Sequence, residues 1–195
     1  MPKTSHRESL DDIHNEPLLR LATEADVECA LAMVEGAQRR LRLAGIDQWQ
    51  NGYPNRERLE EDVRLGWGRM LVVGDRVVAY GAVTYDGEPA YDGLKNGSWI
   101  DDPTEVEVCA DRGACHYATV HRLCAAEDAV GEGYGRVFMM AVEKEAAMNT
   151  GIRSVRVDTH PDNAIMQRLL SSLHYAYCGH VYYESLRLAY AKRLR

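Results

Sequence analysis

Apolar positions along this chain follow two rhythms, one of three and four residues and one of strict alternation, and the two predict different elements. Leu18 to Ala22 reads as a first strand, with Thr23 and Asp26 supplying side-chain oxygens to cap the helix after it. Val27, Ala30, Leu31, Val34 and Leu41 recur at helical spacing, so a first helix runs to about Ala44 and stops at Gly45. Pro54 opens a second helical stretch through Leu59, Val63 and Leu65, with acidic residues near its start where the helix dipole favours them. Met70 to Val73 and Arg76 to Thr84 are β-rich runs around Gly74-Asp75, and they predict a hairpin.

From Tyr85 to Cys115 the rhythm breaks into glycine, proline, acidic residues and single aromatics, a pattern expected of a functional loop or lid. His116 to Ala125 resumes as a strand. Tyr117, Thr119, His121 and Leu123 share one face, Ala118, Val120, Arg122 and Cys124 the other, and both faces look covered, as in a central strand. A glycine turn comes next, then Val137, Phe138, Ala141, Val142 and Met148 mark a helix ending near Gly151. Ile152 to Asp158 is a strand, Asn163 to Leu173 a helix, and Tyr175 to Tyr183 with Leu186 to Ala191 a closing antiparallel pair. The fold class is therefore mixed α/β. Residues 17–195 form one domain on this reading, and residues 1–16, charged and aperiodic, form a mobile leader outside it.

Charge and cysteine usage narrow the function classes. A net charge of −7 with no basic face argues against nucleic-acid binding and suits a cationic partner. No stretch has the length of a signal peptide or a membrane span, so a soluble, cytoplasmic protein that does not associate with membranes is expected. Cys29, Cys109, Cys115, Cys124 and Cys178 are odd in number and scattered, as reduced thiols are. Cys109, Cys115 and His116 fit none of the common zinc spacings, and no metal is expected. Oligomeric state is left open, a homodimer included.

The chemistry centres on Val130-Gly131-Glu132-Gly133-Tyr134-Gly135, a glycine-rich turn between a strand and a helix. Backbone N–H groups at a helix start attract an anion, and glycine lets a phosphate approach. A plain loop leading into a helix is the alternative. The turn is neither a dinucleotide fingerprint after a first strand nor a P-loop, because Arg136 and Val137 stand where Lys and Ser or Thr would be.

In this setting the residues from Leu18 onward resemble the GNAT superfamily of acyl-CoA-dependent N-acetyltransferases. The family pattern Q/R-x-x-G-x-G/A falls on the glycine turn. Asp158-Thr159-His160-Pro161-Asp162-Asn163, Met166 and His174-Tyr175 match the next strand and helix. Ile46-Asp47-Gln48-Trp49-Gln50-Asn51-Gly52-Tyr53-Pro54 and Gly87-Glu88-Pro89-Ala90-Tyr91-Asp92 resemble a bacterial subgroup of unknown substrate. The resemblance implies a GNAT-like mixed, mainly antiparallel central sheet flanked by helices, and acetyl-CoA as co-substrate. It implies that Leu123 and Ala125 pair with the pantetheine amides and that the Ala125 N–H polarises the thioester. The amides of Val130, Gly131, Glu132, Gly133, Tyr134, Gly135 and Arg136 would hold the pyrophosphate, and Asn163 would touch the pantetheine arm. Two departures stand out: Val130 replaces the family's Gln or Arg, and Leu170 occupies the position of a proton-donating tyrosine.

The family reaction is direct attack by a neutral amine of a small molecule or a peptide N-terminus, so a proton must be removed. His121 is the candidate base, for its place on the strand and an ordinary pKa near neutrality; a packed histidine is the alternative. His160, at the end of a strand, is the rival, or else belongs to the turn starting the next helix. Glu107 and Glu88 could act through water. Trp49 and Tyr53, with Tyr91 and Trp99, would line the acceptor pocket or anchor their loops. The competing function is an inactive acyl-CoA-binding regulatory module, motivated by Val130 and Leu170.

Overall fold

The computed structural model describes residues 16–100 and 115–195. Nearly all of the leader, and residues 101–114 of the Tyr85 to Cys115 segment with Glu107 and Cys109, lie outside the described residues. Strand β1 (Leu18–Leu21) leads through the Thr23–Asp26 turn into helix α1 (Val27–Leu43). The Asp26 carboxylate sets that turn, accepting from the Thr23 N–H at 2.8 Å and from Arg20 at 2.7 Å. Helix α2 (Arg56–Arg64) starts at Asn55, whose side chain accepts the Arg58 N–H, rather than at Pro54.

The hairpin β2 (Gly68–Val73) and β3 (Arg76–Thr84) turns through Gly74 at φ +57°, the left-handed conformation its turn needs. Strand β4 (Tyr117–Ala125), helix α3 (Tyr134–Ala147), strand β5 (Ser154–Thr159) and helix α4 (Ala164–Ser172) come next, and strands β6 (Ala176–Tyr182) and β7 (Leu186–Arg193) close the chain. The strands form one seven-stranded sheet in the order β1-β2-β3-β4-β5-β7-β6. Among the described residues only β4 and β5 run parallel; every other neighbouring pair is antiparallel. The mixed, mainly antiparallel sheet expected from the sequence is present, with helices on both faces.

Each face carries its own core. Phe138, Met139 and Val142 of α3 and Leu170 of α4 pack with Ala118, Val120, Val155 and Val157 of the sheet. On the opposite face Ala30, Met33 and Val34 of α1 and Leu59 of α2 pack with Met70, Tyr80 and Cys124. A third cluster gathers Tyr91, Tyr117, Val181 and Ala189.

The regular alternation expected along β4 does not persist. The β3–β4 register shifts between Tyr80 and Ala82, and Arg122 opposite it has φ +57°. This bulge puts His121 and Arg122 on the same face and turns Leu123 to the other, where it packs against the α3 core. The sequence rhythm places Leu123 with His121; an extra residue in the strand reverses the parity after it.

Candidate active site

Two features of the sheet open a cleft at its centre. The β4–β5 ladder is short, running only from Tyr117 opposite Ser154 to Thr119 opposite Arg156. Beyond it the strands part. On the other edge of β4, the Ala126 N–H donates to Val78 C=O at 3.0 Å, which sets the phase of the ladder with β3. Leu123 and Ala125 lie at odd steps from Ala126, so their N–H and C=O groups turn towards the gap left by β5. Arg40 already donates to the Ala125 carbonyl at 3.3 Å, while also pairing with Glu127.

The glycine turn stands at the same end of β4. Gly131 has φ +87° and Gly133, the N-cap of α3, has φ +86°. Of the amides expected to hold an anion, Glu132 N–H donates to Ala129 C=O at 3.3 Å and Arg136 N–H to Gly133 C=O at 2.9 Å. The N–H groups of Gly131, Gly133, Tyr134 and Gly135 find no backbone acceptor among the described residues. A Cβ at Gly131 or Gly133 would meet nothing within 4 Å, so the ground beside these amides is open. Four such donors at the start of a 14-residue helix could hold an anion. The Arg136 guanidinium turns away to Ser172.

Beside the bulge lies a cavity of about 290 Å³, lined by Tyr53, Trp67, Thr84, Asp86, Glu88, His121 and Tyr183, with Arg58 and Arg122 in its wall. His121 Nε2 is 3.5 Å from Glu88 Oε2. Burial, with the Arg122 and Arg58 cations adding to it, drives the His121 imidazole down to about 3. It is neutral at physiological pH and does not titrate near neutrality, unlike the expectation from its ordinary value. Arg122 is held by Asp62 through two bonds of 2.8 and 2.7 Å, and its third nitrogen donates to the Tyr53 hydroxyl at 2.7 Å. Tyr80 adds a 2.7 Å bond to the same carboxylate.

Asp158, on β5 across the parting of the strands, accepts from Tyr91 at 2.9 Å and from Tyr183 at 3.2 Å, with Arg187 4.0 Å away. Burial pushes its carboxyl up to about 6, and nearby Glu88 adds to the rise, against the pull of the two hydroxyls and Arg187. The native chain therefore keeps this proton to higher pH than the unfolded chain does. The resulting penalty is absent below the ordinary value of 3.8, grows up to about 6 and is constant above. Asp158→Asn keeps an acceptor for both tyrosines and removes the charge. It should stabilise the fold at pH 8 by up to about 3 kcal/mol and give no gain at pH 4, as read by urea unfolding at the two pH values. A difference independent of pH would show that the carboxyl is not held protonated by burial.

The other expected residues fall in different places. Tyr53 reaches the cavity, whereas Trp49, at φ +63°, packs against the α1-side core. Tyr91 is 1% exposed and Trp99 donates to its carbonyl, with Arg156 stacked on the indole at 4.1 Å, so both anchor their segment. His160 accepts the Asp162 N–H at 3.2 Å and shapes the turn before α4. Asn163 caps α4 by accepting the Met166 N–H at 3.1 Å, and its amide donates to Gln48 at 3.0 Å, tying the α1–α2 loop to β5. Leu170 is fully buried in the α3-side core. Cys115 donates to the Tyr117 carbonyl and His116 meets Arg156. Thr84 and Asp86 line the cavity and Asp62 holds Arg122 in its wall, and none of the three was singled out from the sequence. Asp62 had a visible signal, since it lies beside Val63 and three positions after Leu59 on a helix with a buried face.

No protein-family model and no curated protein matches the chain. Solved structures do. A GNAT-family acetyltransferase from Streptococcus agalactiae superposes with a TM-score of 0.79 at 29% identity, over 92% of this chain and 96% of that one. A GNAT-family acetyltransferase from Listeria monocytogenes gives 0.66 at 15% identity, covering 91% and 95%. The aminoglycoside acetyltransferase AAC(6')-Ib, solved with coenzyme A and kanamycin, gives 0.63 at 14% identity, covering 91% and 95%, a likeness of fold. Among the described residues no helix is long and apolar enough to cross a membrane. A sheet that parts beside a glycine-capped helix, together with near-complete coverage of the streptococcal acetyltransferase, identifies the architecture: the chain has the GNAT acetyltransferase fold and is similar to acetyltransferases of that superfamily.

Proposed function

We propose that the chain is an acetyl-CoA-dependent N-acetyltransferase acting on a small primary amine. The observation that supports this reading is the short β4–β5 ladder, which leaves β4 unpaired with β5 at Leu123 and Ala125, followed in the chain by a turn whose Gly131, Gly133, Tyr134 and Gly135 amides lack backbone acceptors. An extended amide-bearing arm adds to such an edge as a strand would, and its phosphates reach the helix start. Bound acetyl-CoA supplies a thioester whose C–S bond breaks as the amine nitrogen bonds the carbonyl carbon. The outward N–H groups of Leu123 and Ala125 stabilise negative charge on the thioester oxygen.

The cavity beside the bulge holds the amine. His121 and Glu88 act there as a unit: the carboxylate, 3.5 Å from Nε2, offsets the burial that by itself disfavours an imidazolium, and with that partner the imidazole passes on the amine proton. Asn163 serves the site at one remove, by positioning α4 and the loop that carries Tyr53. Val130 is 48% exposed and contributes no polar side chain to the turn, so backbone amides carry the phosphate contacts.

Calorimetric titration with acetyl-CoA and a thiol-release assay over a panel of amines test the reading together. Binding with turnover of at least one amine is the expected result. Tight binding with no turnover on any amine would make the chain an acyl-CoA-binding module, the reading that Leu170 in place of a tyrosine favours. Absence of binding by a folded sample would overturn both.

A further inference from the structure

The charges around the acceptor cavity do not balance. Arg122 is matched by Asp62, and Arg58 by Glu61 at 2.7 Å and Asp62 at 3.3 Å, while its guanidinium lies over the Trp67 ring at 5.2 Å. Neither cation is spare for a ligand carboxylate. Asp86 and Glu88 are left over. Asp86 accepts from the Trp67 indole N–H at 3.2 Å, and Glu88 accepts from the Ala90 N–H and faces the neutral His121. Neither carboxylate has a lysine or arginine partner among the described residues.

A second, independent observation points to a ligand. Thr84 lines the same cavity, is 5% exposed, and its Oγ1 has no hydrogen-bond partner among the described residues. A buried hydroxyl without a partner is costly, and a donor brought by a bound molecule would satisfy it. Aromatic faces from Tyr53, Trp67 and Tyr183 complete a lining suited to a cation with an apolar stem.

From this we infer that the acceptor is a short diamine: a molecule with a reacting amine and a second ammonium group held by Asp86 and the Thr84 hydroxyl. The inference rests on the transferase reading and names the acceptor class for the same cavity. The retained ammonium stays protonated at Asp86. The other nitrogen gives up a proton to the His121–Glu88 pair, forms the C–N bond of the amide as the thioester C–S bond breaks, and CoA leaves as the thiolate.

The test uses 1,4-diaminobutane and 1,5-diaminopentane against butylamine, pentylamine and 6-aminohexanoate, by calorimetry on the protein with CoA and by thiol release with acetyl-CoA. The diamines should bind and turn over about tenfold or more better than the monoamines, since a charged hydrogen-bonded contact is at stake, and 6-aminohexanoate should be the poorest. Asp86→Asn should erase that preference, and Thr84→Val should raise KM for the diamines several-fold with little change in kcat. Asp86 is exposed, so its variant should fold, and circular dichroism checks this. Equal binding of diamines and monoamines, or a preference that survives Asp86→Asn, would overturn the inference. Preferential diamine binding without turnover would support the diamine site at Asp86 and Thr84 and remove the transferase reading instead.

Discussion

Asp62→Ala should lower the stability of the fold by roughly 3–5 kcal/mol, because it strands a buried guanidinium. The Arg122 side chain is 3% exposed and that of Asp62 is 0% exposed, so water cannot take over the lost contacts. Tyr80 would lose its acceptor as well. The double variant Asp62→Leu, Arg122→Met removes both charges and should regain most of the loss, since a desolvated ion pair is often matched by apolar residues of similar volume. Urea unfolding of the parent chain, Asp62→Leu, Arg122→Met and the double variant gives the coupling energy directly. A loss below about 1 kcal/mol in Asp62→Ala would mean that the carboxylate adds little, as exposed pairs do.

The same pair bears on activity. It fixes the Arg122 bulge from the α2 side, and the bulge is what sets Arg122 beside His121 and the Leu123 backbone at the gap. The regained stability of the double variant should therefore not restore turnover, because Arg122 also donates to the Tyr53 hydroxyl and no apolar residue can.

How much of this was legible in the sequence differs by length scale. Helix and strand positions came from local rhythm, and the observed α1, Val27–Leu43, ends one residue before the Ala44 expected from periodicity and Gly45. Insertion of β7 between β5 and β6 was not legible: the pattern shows that the last two strands pair, and nothing local says which of them reaches β5. The β4 bulge was hidden for a similar reason. A single residue at positive φ leaves no mark on alternation, and Arg122 is not a residue type that advertises such a conformation. The glycine turn was visible because its backbone geometry demands glycine, as Gly131 and Gly133 demonstrate. The acceptor cavity was only half visible. Tyr53 and Glu88 stood out in irregular segments, while Asp86 and Thr84 acquire meaning only from an empty hydrogen-bonding position and an unmatched charge, which are properties of the assembled site.

Gly133→Val should weaken CoA binding at least about tenfold while leaving the sheet intact. At φ +86° a β-branched residue is strained by upwards of about 1–2 kcal/mol, and the chain can relieve this by rotating towards negative φ. That rotation reorients the peptide planes on either side of the N-cap, and with them the directions of the Gly133 and Tyr134 N–H groups. Steric conflict with the rest of the fold does not enter, because a Cβ at this position meets nothing within 4 Å. Gly66 provides the control. It has φ +69°, equally open surroundings and a place after α2 outside the glycine turn, so Gly66→Val should carry a comparable stability loss with unchanged CoA affinity. The contrast separates strain as such from the direction of the amides. If the two variants bound CoA equally well, the pyrophosphate would have to lie elsewhere, and the free edge of β4 would be left without an anchor at its end.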